Sequence, residues 1–270
     1  MLENENYNRY FKANKEGWNK RTQIHKVSEF YDVLSFKAGK SSLNAIELEE
    51  VGNVSEKTLL HLQCHFGMDT LSWAREGADV TGIDISNQAI DYANELSKEL
   101  NIPACFICCN IYDLPIHLEK KFDIVFTSYG AVGWLPCLDK WASIINYFLK
   151  PGGAFYIIEF HPVVWMMDDN FKYIKYAYHN LETIAVLHTG TYTDMNSAID
   201  YDEYSWNHGL SEVVNSLIKY DLQIQHLNEF PFSCYNCFNN VVQGEDGYWR
   251  VKGLEDKIPL MYSVKAVKQS

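Results

Sequence analysis

A chain of 270 residues with 47% hydrophobic and 14% aromatic side chains can bury a substantial core. Its net charge of −12 argues against a nucleic-acid partner, because phosphates would be repelled without a local basic patch, and the one basic cluster, "KANKEGWNKRTQIHK", reads as a solvated helix face. No apolar run reaches the length of a bilayer span, and the polar start "MLENENYNRYFKANKEGW" is no secretory signal, so a cytoplasmic protein without a membrane partner is expected.

In chain order, residues 5–36 read as mostly helical, with aromatic and charged residues interleaved. Residues 57–62 form an apolar strand, 69–76 a helix ended by Gly77, and "DVTGID" a second strand. Ser86 caps a helix in which Ala89, Ile90, Ala93 and Leu96 share one face. "ACFICCN" alternates like a buried third strand, and "FDIVFTS" (122–128) is a fourth. "LDKWASIINYFL" is a helix, "KPGG" a turn and "AFYIIEFH" a fifth strand. Strands alternating with helices imply an α/β fold with a mostly parallel sheet covered on both faces. After His161 the alternation stops: 162–206 is aromatic-rich and irregular, which suits either a lid or an added hairpin, before a helix at 207–219 and strands near 221–230 and 258–267. The seven cysteines form no regular framework, and Cys234 and Cys237 lack the second ligand pair a zinc site needs, so reduced thiols and no metal are expected.

This order, with "HLQCHFGMDTLSWAREGA", "SYGAVGWLP" and "LKPGGAFYIIEFHP", resembles a class I S-adenosylmethionine-dependent methyltransferase, in particular a bacterial subgroup with an HLQCxxG loop. The likeness covers about 55–161, with the tail fitting the family's closing helix and strands. It implies a Rossmann-like seven-stranded sheet with an insertion after the fifth strand, S-adenosyl-L-methionine as cofactor, and methyl transfer to a small molecule. The family's loop is usually acidic-x-Gly-x-Gly-x-Gly, whereas here those places hold His61, Gln63, His65 and Gly67. His65 tolerates left-handed backbone and can keep the turn. Gln63 puts an amide where bare backbone normally meets the methionine part of the cofactor, there to bond its carboxylate, and His61 replaces the carboxylate that usually holds its ammonium. The resemblance also places Cys64 in this loop.

Asp84 ends the second strand, where a carboxylate can accept both ribose hydroxyls, with Ile85 and Ser86 flanking the adenine. Asn110 fits the adenine-contacting place, with Ile111 offering its backbone N–H, Tyr112 beside it, and Asp113 capping the turn. Ser128, Tyr129 and Gly130 occupy the sheet edge where the methyl donor's sulfur is expected. Methyl transfer needs alignment and exclusion of water, and a base only when the nucleophile holds a proton. His161 and Tyr129 are the catalytic candidates, and Glu159 ends the same strand as His161. Trp18, Arg21, His25, Trp134, His161, Trp206 and His208 are candidates for the substrate side.

The expected organisation is a helical lid (1–54), a cofactor core (55–161), an insertion on the substrate side (162–206), and a closing helix and strands (207–270) of one domain. Two rivals stand beside this expectation. An NAD-dependent oxidoreductase would need G-x-G-x-x-G, but Gln63, His65 and Met68 hold those places. A non-catalytic nucleoside-binding or regulatory protein is the other, favoured by the altered loop.

Overall fold

The computed structural model describes residues 5–179 and 182–269; the first four residues of the expected lid, residues 180–181 of the expected insertion and residue 270 lie outside them. The chain runs α1 (Glu5–His25), α2 (Val33–Lys37), α3 (Ala45–Val51), β1 (Thr58–Leu62), α4 (Met68–Arg75), β2 (Asp79–Asp84) and α5 (Asn87–Leu100). It continues through β3 (Cys105–Cys108), α6 (Leu114–His117), β4 (Phe122–Ser128), α7 (Leu138–Phe148), β5 (Leu149–Phe160) and α8 (Pro162–Met166). The last part holds β6 (Ile184–Thr189), β7 (Asp200–Ser205), α9 (Leu210–Lys219), β8 (Leu222–Phe230), β9 (Val241–Gln243), β10 (Trp249–Val251) and β11 (Met261–Lys268).

Seven strands form one sheet in the order β3-β2-β1-β4-β5-β11-β8, with only β11 running against its neighbours. The strand order reverses between β1 and β4, so their carboxyl ends open the crevice in which ligands of such sheets bind. The central strands are buried on both faces and read as near-continuous apolar runs, as parallel strands do. Leu60, Phe155 and Ile157 pack toward α7 and α9, while Leu59, Phe126 and Tyr156 pack toward Trp73 of α4.

Helix α5 follows its apolar spacing: Ala89, Ile90, Ala93 and Leu96 are buried, and Ser86 Oγ accepts the Ala89 N–H as a cap. β3 departs from the expected buried strand, because it is the sheet's edge and leaves Cys105 and Cys108 exposed; only Cys109 of the "CFICC" run is buried. Between β5 and α9, β6 and β7 form a separate two-stranded hairpin. It packs on α1 rather than extending the main sheet: Asn14 bridges to the backbone of Tyr204, and Gly17 sits so close to Tyr201 that a Cβ there would stand 3.0 Å from its ring. Among the described residues no helix is long and apolar enough to cross a membrane.

Candidate active site

The apolar run of β1 drives its carboxyl end into the core, and the chain must then turn sharply over the next strand. Gln63, His65 and Gly67 make that turn in left-handed backbone, with φ of 56°, 49° and 78°. His and Gln are unusual there, but Gly67 has no substitute: a Cβ would lie 2.7 Å from the Phe106 ring and 3.0 Å from Ala93. Cys64, buried beneath the loop, donates its N–H to Ile83 of β2 at 2.8 Å.

The turn delivers the His65 N–H to Asp84 Oδ2 at 2.9 Å, while Oδ1 accepts from Ser86 N at 2.8 Å. Asp84 therefore braces loop and strand end at once, and burial pushes its carboxyl up to about 6. Ser86 does not flank an adenine face: it is wholly buried, caps α5 and donates to Asn19 of α1 at 2.7 Å. Ile85 stays half-buried beside Asp84. The turn after β3 reassigns two roles. Asn110 Oδ1, rather than Asp113, accepts the capping N–H, from Tyr112 at 3.1 Å, and Asp113 makes no capping bond. Ile111 and Tyr112 are core residues, with the Tyr112 hydroxyl pinned to the backbone of Cys137.

At the end of β4, Ser128 Oγ donates to Asp69 Oδ2 at 3.0 Å and stands 3.3 Å from His61 Nε2. His61 is buried and held neutral, its imidazole pushed down to about 3 by burial, with Nδ1 2.8 Å from Thr70 Oγ1. Ser128 thus links position 61, which carries no carboxylate, to Asp69 in the first turn of α4, which also accepts from Ser42 at 2.6 Å. Sequence reasoning missed Asp69, although an acid just after the loop's last glycine was a visible signal.

Tyr129, also left-handed at φ 42°, sends its hydroxyl to Glu47 Oε2 at 3.0 Å. Asn44 Nδ2 lies 3.0 Å from Glu47 Oε1, 3.2 Å from Tyr129 Oη and 3.0 Å from Tyr235 Oη. Glu47 is fully buried, and burial, then Asp69, pushes its carboxyl up to about 7. Glu47 was also missed, because α3 is too short to announce itself and its one clue is an acid beside Ile46, which packs against the core, and Val51 within it. Glu159 is the anchor of the neighbouring loop: its carboxylate accepts the backbone N–H groups of Gly130, Ala131, Val132 and Phe160. That loop in turn accepts Gln63 Nε2 at Ala131 O, 2.9 Å away.

Above these strand ends, α1 contributes the expected cluster. Trp18 meets His65 and Trp134 edge to face at 5.2 and 5.3 Å, and His25 Nδ1 lies 2.9 Å from His65 Nε2. Burial holds both imidazoles neutral, pushing His65 down to about 3 and His25 to about 2. Arg21 is present but its charge is already paired: its guanidinium pairs with Glu203, bonds Tyr201 Oη at 2.7 Å and lies over the Trp18 ring, while Nε is buried without a partner.

Three candidates fall outside the site. His161 Nδ1 accepts the Val163 N–H as the cap of α8, and its Nε2, which makes no hydrogen bond, lies 3.0 Å from Glu229 of β8, so the ring faces that strand. His208 spans Leu135 O at 2.6 Å and Glu212 at 3.0 Å. Trp206 is buried against Tyr7 and Tyr10 at the far end of α1. A cleft of about 350 Å³ lies at the opposite, amino ends of the strands, lined by Lys57, Asp123, Lys150 and Lys265. It is remote from these residues.

The strand-end residues fit S-adenosylmethionine. Gln63 Oε1 is buried without a partner, and since Nε2 is committed to Ala131, the atom left over is an acceptor, suited to the cofactor's ammonium rather than its carboxylate. Asp69 has hydroxyl partners and no cation, which suits the same positive group. Asp84 keeps unused lone pairs for ribose hydroxyls.

Residues 59–153 match the family model of a methyltransferase domain. An uncharacterized methyltransferase of Synechocystis is 31% identical over 47% of this chain and 59% of its own length. The ubiquinone biosynthesis O-methyltransferase of Chromobacterium violaceum is 27% identical over 41% of this chain and 49% of its own length. The chain thus spans roughly half the length of these curated relatives. Among solved structures, an S-adenosylmethionine-dependent methyltransferase of Clostridium acetobutylicum superposes with a TM-score of 0.59 at 13% identity, covering 94% of this chain and 99% of that one. A putative one of Listeria monocytogenes gives 0.56 at 20% identity, covering 83% and 97%. Strand order and superposition agree on the fold of S-adenosylmethionine-dependent methyltransferases, and residues 59–153 within it match a methyltransferase domain.

Proposed function

We propose that the chain transfers the methyl group of S-adenosylmethionine to a small molecule by in-line displacement, in the cytoplasm. The observation that carries this reading is the convergence of the left-handed 63–67 turn, Asp84 and the Ser128–Asp69 pair at one crevice of the sheet. The cofactor supplies an electrophilic methyl group on a sulfonium. Asp84 would hold the ribose, Asp69 and Gln63 Oε1 the ammonium, and the 63–67 backbone the methionine chain. Ser128 and Tyr129 would border the transferred methyl, where alignment and a dry environment are the protein's main contributions.

Residues 5–54 act in this reading as a lid. Helix α1 reaches the core through polar contacts, Asn19 with Ser86 and Asn87, Gln23 with Gln88 and His25 with His65, and through ring contacts of Trp18 with His65 and Trp134 and of Phe11 with Tyr112. Such contacts can open and close, and α1 moves together with the β6–β7 hairpin clamped to it by Arg21 and Glu203. Calorimetry should show binding of S-adenosylhomocysteine and none of NAD, with hydrogen exchange in 5–54 slowing on binding. Binding of NAD alone would establish the oxidoreductase alternative, and cofactor binding without transfer to any metabolite would favour a regulatory protein. Equal protection with and without ligand would make the segment a fixed part of the body.

A further inference from the structure

We propose that the substrate presents an amine to this site, and that Glu47 is the catalytic residue that holds the nitrogen and takes its proton. The inference rests on the methyltransferase reading above and goes further by naming the nucleophile. Glu47 is wholly buried, and its hydrogen-bond partners are Asn44 and Tyr129, neither of them a cation. A carboxylate taken out of water without a positive partner is costly, and a protonated amine entering beside it offsets that cost.

The surroundings have the same preference. Tyr129 and Tyr235 meet edge to face at 4.8 Å next to Glu47, and Phe30 bridges Tyr235 at 5.7 Å to Tyr192 at 5.5 Å. Aromatic faces around a carboxylate favour ammonium groups. A substrate carboxylate or phosphate meets the opposite: Asp69 is close enough to raise the Glu47 carboxyl, so a further acidic group would add to an existing repulsion. An independent observation points to an occupant. His25 is fully buried with Nε2 unpartnered, and its ring lies 4.7 Å from that of Tyr192, at the canopy end of the same cluster.

The enclosing rings are carried by loops. Phe30 follows α1, Tyr192 lies in the β6–β7 turn and Tyr235 follows β8, so they can part to admit a ligand, while Tyr129 at the end of β4 holds the Glu47 carboxylate in place. In the reaction, the ammonium passes a proton to the Glu47 carboxylate. The nitrogen lone pair then forms the N–C bond as the donor's C–S bond breaks and its electron pair stays on sulfur. The products are S-adenosylhomocysteine, a protonated N-methylamine and a neutral Glu47, which returns its proton to water on release.

The test uses the full chain loaded with S-adenosylhomocysteine, titrated with phenethylamine, 2-phenylethanol and 3-phenylpropionate, alongside methyl-transfer assays on a panel of primary and secondary amines and phenols. The amine should bind at least tenfold tighter than the alcohol and the acid, and amines should be methylated. Glu47→Gln should abolish that preference and lower kcat/KM by about 10²–10⁴-fold, the range for proton-transfer groups, with S-adenosylhomocysteine affinity unchanged within about twofold. If Glu47→Gln does not fold, Tyr235→Ala should cut the amine preference about tenfold while Tyr235→Phe keeps it, as expected for a cation held on a ring face. Equal binding of all three probes, methylation of phenols only, or an amine preference indifferent to both Glu47→Gln and Tyr235→Ala would overturn the inference. Failure of the parent chain to bind S-adenosylhomocysteine would instead overturn the cofactor reading beneath it.

Discussion

The cradle between β1 and β2 and the canopy above it both enclose polar groups in a dry setting, but they are built differently. In the cradle the fixed elements are backbone: three left-handed residues within five positions, and N–H groups of His65 and Ser86 aimed at one carboxylate. In the canopy the contacts run side chain to side chain across long stretches of chain, Asn44 to Tyr235, His25 to His65 and Tyr31 to Tyr192. A backbone-built site has little freedom to change without unfolding its turn. A side-chain-built site on loops can be rebuilt around a different substrate while the cradle stays the same. Cofactor and substrate demand that division of labour.

The sharpest way to break the comparison is at Gly67. Gly67→Ala puts a Cβ into the Phe106 ring at left-handed φ. The expected loss is about 3 kcal/mol, from ~1–2 for the conformation and about 1–3 for overpacking. Urea denaturation measures it. A loss under 1 kcal/mol would mean that the cradle yields as readily as the canopy.

Next comes Asp84→Ala. A hydrogen bond to a charged group contributes roughly 1.5–3 kcal/mol, which is about a tenfold to 150-fold loss of cofactor affinity. The loop also loses the brace on His65 N, so both effects point the same way. Unchanged S-adenosylhomocysteine affinity in a folded variant, by calorimetry, would remove Asp84 from the ribose site.

The contrast also explains what the sequence could disclose. The strand ending at Asp84, the cap at Ser86, the four-residue face of α5 and the left-handed turn at His65 each depend on a window of a few residues, and all were legible. The role of Ser86 was misjudged because its second partner, Asn19, lies 67 residues away. His161 looked catalytic from its place at a strand end, yet Val163 occupies Nδ1 and Nε2 faces Glu229, which comes from a strand two places along in the sheet. Glu47 is linked to Tyr235 through Asn44, which lies 191 residues from that tyrosine, a separation at which no local pattern reports contact.

A smaller effect tests the seam between the two regions, the His25–His65 bond. Burial lowers the His65 pKa from 6.5 to about 3, so below pH 6.5 the unfolded chain takes up a proton that the folded chain refuses. This contribution is intact above pH 6.5 and falls away as pH drops toward 3. Asp84 acts oppositely: its pKa is raised from 3.8 to about 6, so its contribution is lost as pH rises through that window. The difference between the parent chain and His65→Asn therefore isolates the histidine, since Asn accepts the same left-handed backbone. Thermal melts from pH 7.5 to 4.5 should fall less steeply for His65→Asn. Parallel curves would mean that His65 titrates normally and that the seam is wet.

The smallest expected effect is at Gln63, where cradle and canopy chemistry meet in one residue. Its backbone is left-handed, which glycine adopts freely, so Gln63→Gly relieves about 1 kcal/mol of conformational strain. The same change removes the Nε2 bond to Ala131 O, worth about 0.5–1.5 kcal/mol, so stability should change by less than about 1 kcal/mol in either direction. Cofactor affinity is the discriminating measurement. With Oε1 buried and unpartnered beside the crevice, its loss should weaken S-adenosylhomocysteine binding about tenfold, the lower end for a hydrogen bond to a charged group. An increase in affinity would mean that the side chain narrows the crevice instead of contacting the ligand. The cradle would then be backbone throughout, and Asp69 alone would remain to meet the cofactor's ammonium.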